Sequence, residues 1–581
     1  MAKVIIVGAG MAGLAAALRL LQRGFDVTLL EQDNFLGGKL GAHQHSPAPV
    51  PKTLTQAVKD PEFIWAGGER RMVDWGNDSA HDPKPAKAVP DRDWHEHSYH
   101  MYLNWYHNLW KIVEEIGQLS RFVPIPTAHH LNPLRKGQRR PDKPMDITNV
   151  GSPLSFWKNM SSGLMSPTNM FLYGYSLLDV IATPGKSVDQ LDQTSVMDFL
   201  ASRPYTTQSA IDQHYRTLAN AFACPSWLTA MRSYKAFLKY GARQPSPMMW
   251  LLNCNAHQGL FGPLQDHLEE TANKLKHQGA NFKISCLTFV NKLKVAQGKI
   301  VGLEVLELLE SPSVGSGAIK VKGNGKGSII DTDGADVILA LPPKAMQTLV
   351  GPEVLKLAPQ LGSVSDLRSL PMASLDLYFN TRLPGVPAGI TLLLNSNYTL
   401  SFLDVSQLWP ELKDKNQTVL NVVASTVGIL ADYSDEKVIK LLCEELKRYI
   451  PFTDEQVDKK RALLQSNLGE ELFINQVGSW ASRPTATCAI PNLFFAGDYC
   501  QNCVDVVTIE GAVVSGLMAA EAVRQRRGIG LPIEIIEPPS YPEPSLAVIT
   551  ALGKPWAYAA KALAEVEDAV LTGYRQIFPN G

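Results

Sequence analysis

A glycine-rich turn close to the first residue constrains the fold of this chain more than any other feature. The run Val4–Val7 is apolar and β-branched, which predicts a short buried strand. Gly8, Gly10 and Gly13 follow it at G-x-G-x-x-G spacing. The Ala- and Leu-rich stretch Leu14–Leu21 comes next and is predicted to be a helix. A strand, a glycine turn and a helix in this order form the phosphate-binding start of a Rossmann-like fold.

Each glycine of this turn has its own physical role. Gly8 allows the tight turn, Gly10 leaves space for a pyrophosphate against the backbone, and Gly13 lets the helix pack closely on the strand. The free N–H groups at the start of the helix attract phosphate. A second strand is predicted over Val27–Leu30, and Glu31 at its end can accept hydrogen bonds from ribose hydroxyls. These features together predict a bound dinucleotide.

A second strand, loop and helix with the same character lies near the other end of the chain. The predicted strand Asn492–Ala496 runs into Gly497 and Asp498, and small residues open the helix that follows. An aspartate after a strand can accept from a sugar or ribityl hydroxyl, and small residues let backbone N–H groups reach a ligand. The cofactor-binding residues predicted here are Gly497, Asp498, Ile509, Glu510, Gly511 and Ala512. One cofactor site is therefore expected to be closed from both ends of the chain.

A glycine pair lies a few residues after Glu31, in Leu36-Gly37-Gly38-Lys39, and indicates which family of dinucleotide-binding proteins the chain resembles. The chain resembles the plant and cyanobacterial phytoene and zeta-carotene desaturases, within the flavin amine oxidase superfamily. The resemblance covers most of the chain except residues 43–93, 124–160 and the tail, and it is carried by Gly37–Lys39, Trp94–Gly117, Asn253–Leu268, Leu370–Leu383, Gly497–Tyr499 and Glu510–Val513. It implies noncovalent FAD, with Gly37, Gly38 and Lys39 beside the flavin.

The resemblance also places His100 near the flavin, which makes it the candidate catalytic residue, although an ordinary packed histidine fits the sequence equally well. The chain departs from the family at two positions. His97 and Ser98 replace a pair of small residues, and Gly259 replaces an arginine thought to face the quinone, with His257 nearby as another donor. The first departure would change the residues at the face of the flavin, and the second would change the residues that face the electron acceptor.

The predicted fold class is α/β, with a Rossmann-like FAD-binding domain assembled from separate segments and an inserted α+β substrate domain. The FAD-binding segments are 1–100 (with an irregular insertion at 43–93), 255–345 and 471–528. The substrate domain comprises 101–254 and 346–470, and 529–581 is a Pro-rich linker (Glu537–Pro544) followed by a C-terminal helix at about Lys554–Tyr574. Residues 124–160 are predicted to be loop, and 161–254 mainly helical.

Composition limits the partners and the location of the chain. Its 55 Lys and Arg balance 56 Asp and Glu to a formal net charge of −1, which gives no reason to expect nucleic acid binding. Seven cysteines do not suggest a disulfide framework, and they favour a reducing, cytoplasmic location. No signal peptide or spanning segment is expected. The amphipathic stretch Pro225–Arg243 fits either a core helix or a helix on a membrane surface, so peripheral membrane association stays open.

Two further sets of residues suggest a chemical role, but an ordinary structural role explains each of them better. The clustered histidines share no metal-binding pattern, so no metal is predicted; they are His95, His97, His100, His107, His129 and His130. The C-x-x-C pair of Cys500 and Cys503 fits a packed cofactor loop better than an electron relay. The nearest candidate for a second glycine fingerprint, Gly315–Gly327, lies in the predicted polar hairpin loop 311–327 with no helix after it, so no second nucleotide site is predicted.

The favoured function is removal of hydride from a long apolar isoprenoid or polyene by oxidised FAD, with electrons passing to a quinone-like acceptor rather than to NAD. Such chemistry depends on positioning over the flavin. Three alternatives remain: an amine oxidase, a redox-silent flavin-dependent isomerase or hydratase, and a non-enzymatic carotenoid-binding flavoprotein. The sequence leaves the oligomeric state open.

Overall fold

The computed structural model describes residues 2–577 of the 581, except for 45–61, 67–68, 74–83, 89–91, 139, 149–152, 185–187, 244–246, 313–318, 320, 323–326, 414, 431–432 and 467–471. Most of the predicted insertion at 43–93 and much of the predicted loop at 311–327 therefore lie outside the described residues. Within the insertion the backbone forms one antiparallel hairpin, in which Phe63 pairs with Met72.

The strands are β1 (Lys3–Val7), β2 (Asp26–Leu30), β3 (Ala42–His43), β4 (Glu62–Ala66), β5 (Glu69–Val73), β6 (His95–Glu96), β7 (Tyr102–Leu103), β8 (Phe122–Ile125), β9 (Thr127–Leu131), β10 (Met145–Thr148), β11 (Met249–Leu252), β12 (Asn281–Ser285), β13 (Thr288–Ala296), β14 (Lys299–Glu307), β15 (Ser328–Asp331), β16 (Asp336–Leu339), β17 (Ser369–Leu370), β18 (Ala373–Phe379), β19 (Ile390–Leu393), β20 (Leu400–Asp404), β21 (Thr418–Ala424), β22 (Leu463–Ser466), β23 (Leu472–Phe473) and β24 (Leu493–Phe495).

The helices are α1 (Met11–Leu21), α2 (His107–Glu115), α3 (Pro153–Met160), α4 (Pro167–Ala182), α5 (Val188–Asp192), α6 (Val196–Ala201), α7 (Gln208–Phe222), α8 (Met231–Arg243), α9 (Gly262–Lys274), α10 (Pro343–Leu349), α11 (Pro352–Leu357), α12 (Val405–Leu408), α13 (Pro410–Lys413), α14 (Asp435–Lys447), α15 (Ile509–Arg527) and α16 (Glu543–Ile577). A π-helical turn, His257–Phe261, leads directly into α9.

A five-stranded parallel sheet in the order β12-β2-β1-β16-β24 forms the first half of the fold. Its central strands are apolar on both faces, as strands covered on both sides must be. Val4 and Ile6 face the core under α1, whereas Ile5 and Val7 face the core under β13 and β14. This is the predicted Rossmann-like α/β arrangement, and its strands come from three separated stretches of the chain.

A seven-stranded sheet in the order β10-β9-β19-β20-β21-β18-β22 forms the second half. Its strands pair antiparallel, apart from the parallel pair β9 and β19. Helix α14 covers one face through Val438, Leu442 and Leu446. Helices α4 to α8 form the predicted mainly helical stretch. The strands of this sheet come from both stretches assigned to the substrate domain, while the exact domain limits stay a prediction.

The prediction of loop over 124–160 is wrong. Strands β9 and β10 pair antiparallel, with Thr127 opposite Thr148, and α3 follows. Pro133, Pro141 and Pro144 lie in the connection between the two strands, whereas Pro124 lies in the edge strand β8, opposite Trp250 of β11. Proline is tolerated in connections and on edge strands, so the composition of this stretch concealed its hairpin.

The C-terminal helix begins earlier than predicted. Helix α16 starts at Glu543, so Pro544, assigned to the linker, lies in its first turn, where a missing N–H carries no penalty. The helix is anchored on α4: the Tyr175 hydroxyl donates to the Thr550 carbonyl at 3.0 Å, and Thr168 Oγ1 donates to Glu567 at 2.7 Å. No helix in the described part of the chain is long and apolar enough to cross a membrane.

The amphipathic stretch Pro225–Arg243 is resolved as a packed helix. Its helical part is α8, which buries Met231, Tyr234 and Tyr240 against neighbouring helices. The exposed Trp227 precedes the helix and stacks on Tyr215 with ring centroids 5.6 Å apart. The apolar side of α8 is therefore used inside the protein.

Candidate active site

One large cavity lies at the carboxyl edge of the parallel sheet. Its volume is about 1210 Å³, and its wall includes the ends of β1, β2, β16 and β24. Ligands of open α/β sheets bind at this edge. Pockets for a single small ligand usually span roughly 300–1,000 Å³. The cavity thus has room for a dinucleotide and for part of a second molecule.

The glycine turn after β1 has the form that a phosphate site requires. A Cβ atom at Gly13 would lie 2.0 Å from the Gly8 carbonyl oxygen, so α1 packs on the turn at a distance that no side chain permits. A Cβ atom at Gly10 would meet no protein atom within 4 Å, and Gly10, Met11 and Ala12 line the cavity. The space in front of Gly10 is open, and the first N–H groups of α1 border it.

Glu31 is held at the cavity wall by backbone donors. Its carboxylate accepts hydrogen bonds from the N–H of Ala9 at 2.6 Å and from the N–H of Asp33 at 3.0 Å. The side chain is largely buried at the end of β2 and lines the cavity. A carboxylate oxygen can accept more than one hydrogen bond, so this fixed group retains capacity for ribose hydroxyls.

The Gly37-Gly38 turn lies directly against the first glycine turn. Gly37 has a φ of +110°, and a Cβ atom there would lie 2.5 Å from the Phe261 ring, so only glycine fits. A Cβ atom at Gly38 would lie 3.2 Å from Gly10 Cα. Lys39 follows at the cavity wall, where its charge opposes the raised pKa that burial gives to the Asp498 carboxyl.

The C-terminal segment reaches the same cavity. Gly497, Asp498, Ile509 and Ala512 all line it, together with Thr508, whose side chain caps α15. The predicted residues from the two ends of the chain are thus brought together around one space. Their contact with the cofactor itself stays a prediction.

Three residues grouped with the cofactor-binding set lie away from the cavity wall. Gly13 is used in helix packing, and the Gly511 N–H donates to Thr508 Oγ1 at 3.1 Å. The fully buried Glu510 carboxylate accepts from the backbone N–H groups of Asn108 and Leu109, at 2.9 and 3.0 Å. These contacts give the three residues supporting roles, because each is already engaged inside the protein.

His100 lines the cavity beside His97, with ring centroids 5.1 Å apart. Desolvation lowers the pKa of His100 to about 4 and holds the pKa of His97 well below its usual range. Both imidazoles are therefore neutral at pH 7, and a neutral imidazole can accept a proton. The Nδ1 atoms of both rings are buried and lack a hydrogen-bond partner among the described residues.

The stretch that follows β16 belongs to the site and was missed by the sequence analysis. Ala340, Leu341, Pro342 and Pro343 line the cavity, whereas the sequence predicts only a buried strand over Val337–Leu341 that ends at Pro342 and Pro343. The place of this strand in the sheet could have indicated its role, because a strand that pairs in parallel with β1 ends at the same edge as the glycine turn.

Beyond the glycine turns the cavity is bounded mainly by apolar side chains of several helices and of the second sheet. They include Phe156, Leu164, Met170, Phe171, Leu177, Leu178, Ile181, Phe237, Leu238, Met249, Leu392, Val423 and Ile549. The residues present thus fit FAD at the sheet edge, where open space meets backbone N–H groups and a fixed carboxylate. They leave an apolar space next to it.

Other sequence candidates lie outside the cavity wall. His257 stacks on Trp94 with ring centroids 4.8 Å apart, and a Cβ atom at Gly259 would lie 2.7 Å from a Leu252 methyl carbon, which leaves no space for a larger residue. The described residues hold no group of His, Cys, Asp and Glu arranged for a metal ion.

Cys500 and Cys503 are both free thiols. Burial raises the pKa of both and brings that of Cys503 to about 11. Thiols in this state do not exchange readily, because the thiolate is the reactive form. The packed-loop interpretation of the pair is therefore favoured.

Comparisons with known proteins agree with this geometry. The profile described as "Flavin containing amine oxidoreductase" matches residues 305–524, and that of an "NAD(P)-binding Rossmann-like domain" matches residues 6–58. The chain is 22% identical to a 15-cis-phytoene desaturase of Synechococcus elongatus, over 91% of this chain and 99% of that one. It is 20% identical to a zeta-carotene desaturase of Synechocystis, over 90% of this chain and 97% of the other.

Solved structures share the fold. A crystal structure of an oxidoreductase from Methanosarcina mazei superposes with a TM-score of 0.57 at 16% identity, over 89% of this chain and 99% of that one. These similarities support an FAD-dependent oxidoreductase. The chain is similar to proteins of the flavin amine oxidase superfamily and, within it, to the phytoene and zeta-carotene desaturases.

Proposed function

We propose that this protein is a desaturase that removes hydrogen from a long apolar isoprenoid or polyene while bound FAD accepts the hydride. The observation that supports this most is the apolar space that continues from the flavin-side residues Lys39, His97 and Gly497 to the helices α3, α4 and α16. Such a wall favours burial of a hydrocarbon, at roughly 25 cal/mol per Å² of apolar surface removed from water.

The flavin would supply the two-electron chemistry, and this chain would supply the geometry. Gly8, Gly10 and Glu31 would hold the dinucleotide end of FAD, while Gly37, Gly38, Lys39, Gly497, Asp498, Ile509 and Ala512 would surround the remainder. His100 would face the reacting carbons as a neutral base. An apolar wall of this kind excludes water, and this exclusion protects the reaction from competing hydrolysis and proton exchange.

The proposed acceptor of the electrons is a quinone-like molecule. A quinone needs an apolar passage and few donors, which the same cavity offers. The test is to reduce the flavin anaerobically and then to mix it with a soluble quinone, NAD or oxygen. Fastest reoxidation by quinone is expected, whereas faster reoxidation by NAD would refute this part of the proposal.

Peripheral membrane association is proposed as well, through α16 and α3. One side of α16 packs on α4, and the opposite side exposes large apolar residues, with Leu552 and Trp556 each 71% exposed. Trp157 on α3 is 66% exposed. Ile549 and Gly553 of α16 also line the cavity, so this apolar surface adjoins the proposed substrate space. Exposed apolar patches of this kind mark interaction sites.

The function is tested with the oxidised holoenzyme under anaerobic conditions. Bleaching of the flavin is followed after mixing with a panel of long isoprenoids, polyenes and small amines. Isoprenoids or polyenes are expected to bleach it, and rapid bleaching by an amine would instead establish the amine oxidase alternative. The mass of any lipid extracted from the purified protein identifies a bound ligand and addresses the carrier alternative.

Two glycine variants, one in the cavity wall and one outside it, add an internal control to this test. Gly174 on α4 lines the cavity, and a Cβ atom there would meet no protein atom within 4 Å. Gly174→Phe should project into the apolar space, retain FAD and lose bleaching by long substrates. Gly351 has equally open surroundings but lies outside the cavity wall, so Gly351→Phe should react like the wild type. Equal substrate reactivity of both variants would contradict the proposal.

A further inference from the structure

His100 separates the large cavity from a second, much smaller one. The small cavity has a volume of about 30 Å³ and is lined by both His100 and Tyr99, which also line the large cavity. Glu96, Asp376 and Asn421 contribute its polar wall. A buried water needs at least about 10–15 Å³ and two to four polar partners. The small cavity meets both conditions for one water molecule.

The His100 ring has an unused hydrogen-bonding position. Its Nδ1 atom is buried and has no partner in the described part of the chain. Its Nε2 atom lies 3.5 Å from Ser98 Oγ, at the outer limit of a hydrogen bond. Unpaired buried nitrogens are rare in native proteins and call for an explanation such as an ordered water or a catalytic role.

The two carboxyl groups of the small cavity differ in the donors they receive. Asp376 accepts hydrogen bonds of 2.7–3.2 Å from three side chains, those of His95, Asn421 and Gln465. The Glu96 carboxyl accepts from the Ala256 N–H at 2.7 Å, and the described residues supply it with no other donor. The Asp376 carboxyl thus receives three donors, whereas the Glu96 carboxyl receives one and keeps an oxygen available for a further partner.

The pKa of Glu96 is moved toward neutral pH, whereas several groups that face it have pKa values moved away from neutral pH. Desolvation, with a smaller contribution from the charge of Asp376, raises the pKa of Glu96 to about 8. Desolvation also raises the pKa of Cys254 to about 11, raises the pKa values of Tyr102 and Tyr378, and lowers that of His97. The remaining facing groups are Asp376 with its partner His95, and Lys39 and His43 beyond His97.

We propose that Glu96 is the final acceptor of the substrate proton, which reaches it through His100 and one water molecule in the small cavity. This inference rests on the proposed desaturase function and adds a defined proton path to it. Glu96 does not touch the substrate and acts only through His100.

In the proposed step a hydride would leave one substrate carbon with its electron pair, and FAD, when bound, would supply the two-electron oxidant that accepts it. The C–H bond of the neighbouring carbon breaks, and its electron pair becomes the second bond of the new double bond. The released proton binds Nε2 of His100, Nδ1 gives its proton to the water in the small cavity, and the water gives one of its protons to the Glu96 carboxylate. An ionised Glu96 is needed at the start of each turnover.

The first test is independent of turnover. Infrared difference spectra of the holoenzyme between pH 6 and 9.5 should contain a carboxylic acid C=O band that disappears with a midpoint near pH 8. The band should be absent in Glu96→Gln, and its frequency should shift in His100→Gln, because the water between the two groups loses a partner. The control is Glu445→Gln, since Glu445 is buried on the distant helix α14. It should leave the band unchanged.

The second test is the pH profile of flavin bleaching by a reactive isoprenoid. The wild-type rate should rise about tenfold per pH unit below pH 8 and level off above it, following the ionised fraction of Glu96. Glu96→Gln should be slow and independent of pH, whereas Glu445→Gln should follow the wild type. A Glu96→Gln profile parallel to that of the wild type would overturn the inference.

The outcomes separate the proton path from the proposed function. A carboxyl band that does not respond to His100→Gln overturns the path, even if isoprenoids bleach the flavin. A band that responds as expected, in a protein that no isoprenoid or polyene reduces, overturns the proposed desaturase function and supports the Glu96–water–His100 connection.

Discussion

The carboxylate of Glu510 at the start of α15 accepts hydrogen bonds from both nitrogen atoms of Asn108, the backbone N–H at 2.9 Å and the side-chain amide at 2.7 Å. This contact joins the last cofactor segment to the start of α2. The Asn108 side chain also donates to the Ile536 carbonyl at 2.8 Å, so three distant parts of the chain meet at Asn108.

This arrangement makes stability depend on pH. Burial raises the pKa of Glu510 from 4.5 to about 7, so between these values the folded chain keeps a proton that the unfolded chain has released. The free energy of unfolding should therefore fall as pH rises through this window, by about 3 kcal/mol. Urea unfolding should show the advantage of the wild type over Glu510→Gln shrinking by this amount from pH 4.5 to 7.5.

The control for this measurement is Glu269→Gln, because Glu269 is exposed on α9. Its difference from the wild type should stay constant with pH. A constant gap for Glu510→Gln as well would show that the buried carboxyl does not titrate in this window.

Gly10→Val should remove FAD without disturbing the fold. The added side chain enters the open space in front of the turn and meets no protein atom at its Cβ position, so only a bound pyrophosphate is displaced. The purified variant should carry less than about a tenth of the wild-type flavin and keep its circular dichroism spectrum. Gly13→Val, whose Cβ would collide with the Gly8 carbonyl, should instead fail to fold. A yellow, fully loaded Gly10→Val protein would contradict the proposed cofactor site.

Glu31→Gln should weaken FAD binding while keeping the local shape. An amide of the same size can still accept from one backbone donor, but it loses the charge that strengthens bonds to ribose hydroxyls. A hydrogen bond to a charged group is worth about 1.5–3 kcal/mol, so the Kd should rise about 10- to 100-fold. Fluorescence titration of apoprotein with FAD measures this change, and an unchanged Kd would remove Glu31 from the site.

The double variant Leu552→Glu/Trp556→Glu should reduce sedimentation with phospholipid vesicles. Both side chains are exposed on α16, so charges there remove apolar contact with the lipid without disturbing the core. FAD content should be unchanged. The comparison variant is Leu119→Glu, because Leu119 is 47% exposed outside α16. Equal sedimentation of all three proteins would exclude α16 as the membrane contact.

Cys503→Ser should leave the rate of flavin reoxidation unchanged. With a pKa of about 11, only about one Cys503 in three thousand is a thiolate at pH 7.5, which is too few for rapid exchange. Stopped-flow reoxidation by quinone measures this rate. A clear slowing in both Cys503→Ser and Cys500→Ser would restore the electron-relay interpretation.

The sequence was most informative where local residue types carry the chemistry. The glycine turn, Glu31 and the Gly497-Asp498 corner could be predicted because each needs a specific residue at a specific point of a strand-turn-helix unit. Their meeting around one cavity also followed, since parallel strands end at a common edge. His100 was placed by family resemblance, and the structure brings it to the cavity wall.

Features that depend on distant contacts could not be read from the sequence. Glu510 lies beside glycine and alanine in a stretch typical of cofactor loops, yet its partner Asn108 is some four hundred residues away. The β9–β10 hairpin was not predicted, because its prolines indicate where regular structure is interrupted but not which elements lie on either side. Glu96 carries no local signal either, since its environment is built by Ala256 and Asp376 from other segments.

The strand order of the parallel sheet has a consequence for biosynthesis. β1 is made before its partner β16, which follows about 330 residues later, and at 5–20 residues per second this means a delay of roughly 15 to 65 seconds. The helix α15, whose Gly516 packs against Ala12, arrives later still. During this interval β1 can pair with β2, but its other edge has no partner strand. The newborn chain should therefore depend on chaperones and become competent for flavin only after its third segment has been made.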